Sequence, residues 1–311
     1  MRIVFFGSSN FSTNVLEELL ELGQNIVLVV TAPAKRKGRG LVLSPTPVEV
    51  FSRERKLPVV APFDVNERRI LDELSREKPD LFIVNEYGKI FKDKILEIPR
   101  IFPLNIHPSL LPRYRGPSPI NWQVINRENI SGVTFHKITS KVDAGPIIYQ
   151  EKVVLSGDED ALTVHHELSQ CACRCLGLVL EKIANNNFQL KEQDESQASY
   201  FPKIDKSFSW INWSFSCEEV VGWIRGLLPW PVARSIFRGK VLMIRQARPV
   251  LSDFQGLPAE IVEVRKNSFL VKSGSGAVEI LKVQLPSKRI MTSQEFICGY
   301  KPRPGERLTS P

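Results

Sequence analysis

The sequence predicts an α/β protein: a Rossmann-like domain with a parallel or mixed sheet, followed by a small OB-like β-barrel domain. Three observations carry this. The chain opens with an apolar strand, an amphipathic helix and a second apolar strand, the β-α-β signature of a parallel sheet. The sequence turns polar between Asn185 and Ser199. Beyond that break, short strand-like runs separated by glycine turns replace the long helical periods. Accordingly, residues 1–184 are expected to form the first domain, 185–207 a linker and 208–311 a basic barrel domain.

Arg2 to Gly7 reads as a buried first strand, Asn10 to Leu22 as a helix and Asn25 to Thr31 as a buried second strand. The intervening loop, Gly7-Ser8-Ser9-Asn10, has no G-x-G-x-x-G, so a nucleotide site of Rossmann type is not supported. From Ala32 to Pro47 prolines and glycines argue against regular structure, while Lys35, Arg36, Lys37 and Arg39 crowd together; a basic loop of this length points to function, and to phosphates in particular. Helices follow at Pro47 to Arg55 and Glu67 to Lys78, a short strand at Leu57 to Ala61, a buried strand at Asp80 to Asn85 and a short helix at Lys92 to Leu96. The next strand carries Asn105 and His107. Then come a helix (Ile120 to Asn126), a strand (Gly132 to Ile138), the turn Val142 to Gly145, a strand (Pro146 to Leu155) and a long helix (Ala161 to Ala184). After the polar segment, a helix from Cys217 to Gly226 precedes Pro229-Trp230-Pro231 and five strands between Ala233 and Val283.

Composition narrows the class. With 311 residues, 42% of them hydrophobic, the chain can bury a sizeable core. No apolar run reaches the roughly 18 residues of a membrane span, and the start lacks the features of a signal peptide, so a cytoplasmic protein is expected. Five cysteines fit neither a disulfide framework nor a zinc spacing, and no metal is expected. Residues 201–311 hold 17 Lys and Arg against 9 Asp and Glu, whereas the rest of the chain is balanced, so the whole net charge of +8 sits in the last third. Such segregation suggests a polyanion-binding module joined to a neutral one.

The chemistry centres on Asn105-x-His107. Residues two apart on a strand share a face, and here they stand at a strand's C-terminal end, where open α/β sheets keep their ligands. Asp143, in a turn 36 residues after the histidine, adds a carboxylate. Amide, imidazole and carboxylate together suit acyl transfer: N–H groups can donate to a developing oxyanion, and an imidazole oriented by a carboxylate can handle a proton. No activated serine or cysteine motif is present, which favours direct attack by an external amine on a bound one-carbon donor. His136 reads as structural, and His165 and His166 as surface or cap-adjacent residues at a helix start.

Asn105-x-His107, the run from Pro108 through Gly116 (Pro-Ser-Leu-Leu-Pro-Arg-Tyr-Arg-Gly), Gly132-Val133-Thr134 and Asp143-x-Gly145 together resemble the folate-dependent formyltransferases. Lys37-Gly38-Arg39-Gly40, Ser44 to Val48, Ile211 to Ser214 and Pro229-Trp230-Pro231 are similar to the branch of that family acting on aminoacyl-tRNA. The resemblance implies that Asn105, His107 and Asp143 are catalytic. Ser109, Leu110, Leu111 and Pro112 would line a reduced-folate site, with Tyr87 and Gly88 near the pterin. Lys35, Arg36, Lys37 and Arg39 would meet the acceptor arm of an initiator tRNA. It further implies 10-formyltetrahydrofolate as donor and a methionyl α-amine on that tRNA as acceptor; a monomer is expected. The sequence departs from the family pattern at Glu86, His136, Asn212 and the segment Pro117 to Trp122. That segment is closer to sugar-nucleotide formyltransferases, so an amino-sugar nucleotide is the alternative acceptor. A third reading is an RNA-binding protein without activity.

Overall fold

The computed structural model describes residues 1–37 and 42–310; Arg39 of the basic loop lies outside the described residues. In chain order the elements are β1 (Arg2–Gly7), α1 (Asn10–Glu21), β2 (Asn25–Val30), β3 (Lys35–Lys37), β4 (Val42–Ser44), α2 (Pro47–Glu54), β5 (Val59–Val60), α3 (Arg68–Arg76), β6 (Leu81–Asn85), α4 (Asp93–Leu96), β7 (Phe102–His107), α5 (Pro119–Ile125), β8 (Ile130–Lys137), β9 (Ile147–Val154) and α6 (Ala161–Ala184). There follow α7 (Cys217–Gly226), β10 (Arg234–Phe237), β11 (Lys240–Val250), β12 (Ile261–Val264), β13 (Phe269–Lys272), β14 (Ala277–Gln284), β15 (Met291–Thr292) and α8 (Ser293–Tyr300).

The chain forms two compact units. The first comprises Met1–Pro119, Ile130–Val154 and His165–Pro202; the second comprises Ile120–Asn129, Leu155–Val164 and the chain from Lys203 onward. Two short segments that the sequence reading assigned to the first domain thus fold with the second. The segment 185–207, expected as a linker, belongs to the first unit as far as Pro202, with Lys191 and Ile147 exchanging backbone hydrogen bonds of 2.8 and 2.9 Å.

The first unit holds a seven-stranded sheet in the order β5-β2-β1-β6-β7-β8-β9, parallel through β7 and antiparallel at β8 and β9. Ile3 to Phe6 and Leu81 to Ile83 are wholly buried, as strands covered on both faces must be. The β1–α1 turn is tight: a Cβ on Gly7 would come within 2.5 Å of the Ser12 Cβ, and Ser9 caps α1 reciprocally with Ser12. Ser12 Oγ donates in turn to the Asn85 carbonyl at 2.6 Å, tying the helix start to the end of β6. The basic loop, expected to lack regular structure, contains the antiparallel pair β3–β4, with Lys35 opposite Ser44.

The second unit carries the expected antiparallel sheet as a half-barrel, β10-β11-β14-β13-β12 with β15 paired to β14. Its core gathers Trp213, Ile224, Leu242, Phe269, Ile280 and Phe296. Helix α7 starts with a Ser216–Glu219 capping box, and α8, which the sequence reading did not anticipate, starts with another at Thr292 and Glu295. No described helix is long and apolar enough to cross a membrane.

Candidate active site

Strand β7 delivers Asn105 and His107 to the C-terminal edge of the parallel sheet. Strand β8 runs back beside it with His136 opposite Asn105 and Thr134 opposite His107, so these four side chains share one face. Asn105 Nδ2 lies 3.0 Å from His136 Nε2. Asp143 brings Oδ1 to 3.7 Å from His107 Nδ1 and 3.9 Å from His136 Nε2. The three residues expected to be catalytic therefore converge, and His136 joins them. Its local pattern fitted a structural histidine; only the cross-strand register reveals its partner.

Main-chain carbonyls set the protons. Tyr114 O lies 2.9 Å from His107 Nε2, and a carbonyl can only accept, so Nε2 carries the hydrogen and Nδ1 faces Asp143. Likewise Lys137 O lies 3.1 Å from His136 Nδ1, which leaves His136 Nε2 with a lone pair for an Asn105 N–H. One N–H of the Asn105 amide is so engaged. Burial pushes the His136 imidazole down to about 4, with the Asp143 charge opposing and the His107 charge reinforcing the shift. His136 is thus a neutral acceptor at physiological pH.

Asp143 sits at φ 51°, a conformation that aspartate tolerates better than most residues, and its Oδ2 accepts from the Gly116 N–H at 2.8 Å. Gly145 follows because nothing larger fits: a Cβ there would lie 1.8 Å from Lys137 O.

Around this cluster is a cleft of about 500 Å³ whose walls include Val84, Tyr87, Gly88, Phe91, Ile106 and Ile138. Largely apolar walls with a few converging polar groups suit a small organic ligand. Tyr87 and Gly88 are in the wall, as is Pro108; Ser109, Leu110, Leu111 and Pro112 are not. Ser109 and Leu111 are buried, Leu110 and Pro112 half-buried. Ser109 Oγ donates to Arg113 O at 2.8 Å, Thr134 Oγ1 donates to Ser109 O at 2.6 Å, and Leu111 N donates to Thr134 Oγ1 at 3.1 Å. These bonds hold the loop that follows β7.

Glu86, at φ 46°, also lines the cleft and accepts from His165 Nε2 at 3.2 Å. His165, expected near the surface, is half-buried edge-on to Phe11. Burial alone would lower its pKa, but the bond to Glu86 raises it. His166 is exposed. Lys35 and Arg36 are exposed on β3, and the Lys37 backbone completes that strand. Among the described residues no group of three or more His, Cys, Asp or Glu is arranged to hold a metal ion. The five cysteines are free thiols, and burial pushes those of Cys173 and Cys175 up to about 12.

Comparison with known proteins places this geometry. The formyl transferase pattern matches residues 1–180, and the pattern of the formyl transferase C-terminal domain matches residues 203–301. A protein of Geobacter sulfurreducens named methionyl-tRNA formyltransferase is 34% identical over 308 residues, covering 99% of this chain and 96% of the relative. A protein of the same name from Acetivibrio thermocellus is 35% identical over 309 residues, covering 99% of both. Among solved structures, the N-formyltransferase of Helicobacter canadensis, in complex with folinic acid and dTDP-3-aminofucose, superposes with a TM-score of 0.64 at 20% identity, over 91% of this chain and 98% of that one. At that identity the likeness speaks for the fold. The match of both family patterns, with relatives a third identical along nearly the whole length, means that this chain belongs to the formyl transferase family.

Proposed function

We propose that this enzyme transfers the formyl group of 10-formyltetrahydrofolate to the α-amine of an initiator methionyl-tRNA in the cytoplasm. The observation that carries the reading is the cluster of Asn105, His107 and Asp143 at the head of an apolar cleft, in a chain whose full-length relatives are named for that acceptor.

The neutral amine attacks the formyl carbon. As the new C–N bond forms, negative charge gathers on the formyl oxygen, and the Asn105 N–H not engaged by His136 is the donor in place to receive it. His107 presents Nδ1, because Nε2–H is committed to Tyr114 O. Once protonated, Nδ1 can donate to the same oxygen while Asp143 balances its charge. The amine's proton leaves through His107 and Asp143, and the bond from formyl carbon to folate N10 breaks as N10 regains a proton. No covalent enzyme intermediate is required: Ser109, next but one to His107, spends its hydroxyl on Arg113 O. Tyr87 and Gly88 would flank the pterin. Lys35, Arg36, Lys37 and Arg39, with the basic second unit, would hold the tRNA.

The amino-sugar alternative rested on Pro117 to Trp122. In the second unit, Asn121 Nδ2 donates to Gly226 O at 2.7 Å and Trp122 packs edge-on against Phe208 and Trp223, so these two side chains have structural work. The test is formyl transfer from 10-formyltetrahydrofolate to methionyl-tRNA, assayed beside a dTDP-amino sugar. Turnover on the tRNA alone is expected; turnover on the sugar alone would overturn the assignment.

A further inference from the structure

The polar segment after α6 is fastened to the loop that follows β7 and to the turn that carries Asp143. Arg115, whose side chain is wholly buried, is its anchor. Arg115 Nε and Nη2 donate to Gln193 Oε1 at 3.1 and 2.8 Å, and Nη1 and Nη2 donate to Glu195 at 3.0 and 2.8 Å. Nη1 also donates to the Tyr200 hydroxyl. The backbone is fastened too: Arg115 N donates to Ser199 O at 2.8 Å, Phe201 N to Arg115 O at 3.1 Å and Tyr114 N to Ser199 Oγ at 2.9 Å.

What matters is where this leads. The loop so gripped supplies both main-chain groups that hold the proposed catalytic pair, Tyr114 O on His107 and Gly116 N on Asp143. Gln193 then closes the circuit from the other side. With its Oε1 taken by Arg115, its Nε2 donates to Asp143 O at 2.9 Å and to Gly145 O at 2.7 Å. Both amide hydrogens therefore go to the Asp143 turn. Lys191, two residues earlier, pairs with Ile147 just past that turn.

We infer that Gln193 is a positioning residue for Asp143: its amide clamps the turn that aims the carboxylate at His107, and Arg115 keeps the amide in register. The mechanistic part of this inference rests on the function proposed above. Gln193 touches no reacting atom, so its effect passes through Asp143. Asp143 sits at a positive φ that the clamp helps to hold; a turn released from it has other conformations available in which the carboxylate need not stay on the Gly116 N–H.

The test uses the full chain with Gln193→Glu and Gln193→Leu. The introduced carboxylate would keep an acceptor for Arg115 but lose both donors to the turn; leucine loses all four bonds at similar volume. Gln193→Glu is expected to lower kcat on methionyl-tRNA about tenfold or more, with KM for donor and acceptor within about twofold and an unchanged thermal midpoint. In an Asp143→Asn background neither substitution should lower kcat further, whereas a merely structural role would cost the same factor in both backgrounds. Crystal structures of wild type and Gln193→Leu give a second readout that needs no substrate: the distance from Asp143 Oδ2 to Gly116 N should open beyond hydrogen-bond range. If wild type proves inactive on methionyl-tRNA yet Asp143 moves in the variant, the clamp stands and the acceptor assignment falls. An unmoved Asp143, or full additivity with Asp143→Asn, would overturn the clamp itself.

Discussion

The cleft and the second unit treat charge in different ways. In the cleft, Asn105, His107, His136 and Asp143 crowd within hydrogen-bond or near-contact distance, and their fixed partners are the main-chain groups of Tyr114, Gly116 and Lys137. In the second unit, acids are matched to arginine side chains: Glu279 with Arg248 and Arg265, Glu306 with Arg238, Glu263 with Arg265 and Glu295 with Arg289. Burial alone would raise the Glu279 carboxyl, but the bonds from Arg248 and Ser268 hold it below the usual range. Lys240, Lys266, Lys282, Lys288 and Lys301 stay exposed. Main-chain partners fix the tautomers of the two cleft imidazoles. Arginine partners neutralise these four acids of the second unit, while the five lysines stay exposed.

This contrast can be broken at either end. The largest effect is expected from Asn105→Ala or His107→Ala, each lowering single-turnover formylation about 10²–10³-fold with the thermal midpoint little changed; an undiminished rate would remove these residues from the chemistry. His136→Met tests the neutral acceptor through stability. The folded pKa of about 4 lies below the ordinary 6.5, so the unfolded chain takes up the proton first. His136 therefore costs nothing above pH 6.5, and stability is lost as the pH falls from 6.5 towards 4, by at most about 3 kcal/mol. Urea unfolding at pH 7 and pH 4.5 should show a smaller difference in the variant than in wild type.

Replacing Lys35, Arg36, Lys37 and Arg39 together with alanine should raise KM for tRNA about tenfold at moderate salt, flatten its salt dependence and leave donor KM alone. An unchanged slope would mean that the hairpin does not meet RNA. The smallest effect is expected from Arg289→Ala, which removes an exposed pair with Glu295; the urea midpoint should not move measurably.

Much of the first sheet was legible because strands announce themselves by apolar runs and by period-two alternation, and that alternation also put Asn105 and His107 in phase. What pairs across strands is not written locally. His136 is an ordinary inward-facing residue of β8 until the register sets it opposite Asn105. The same holds for Gln193: a polar segment looks alike whether its amides face water or backbone carbonyls, and composition alone reads this one as a linker. The hairpin β3–β4 is obscured by prolines and glycines that border it. Helix α8, by contrast, has a readable start in the Thr292 and Glu295 pair, although a short helix at the end of a run of strands is easily missed. The placement of 120–129 with the second unit depends on close approach, since a Cβ on Gly226 would lie 2.8 Å from Asn121 O.

The carbonyls of Tyr114 and Lys137 have one more consequence. A tautomer held by a side chain can be lost to a point substitution at that side chain, whereas one held by a peptide oxygen survives any replacement that leaves the backbone path intact. The tautomers of this cleft are therefore set by the path of the backbone.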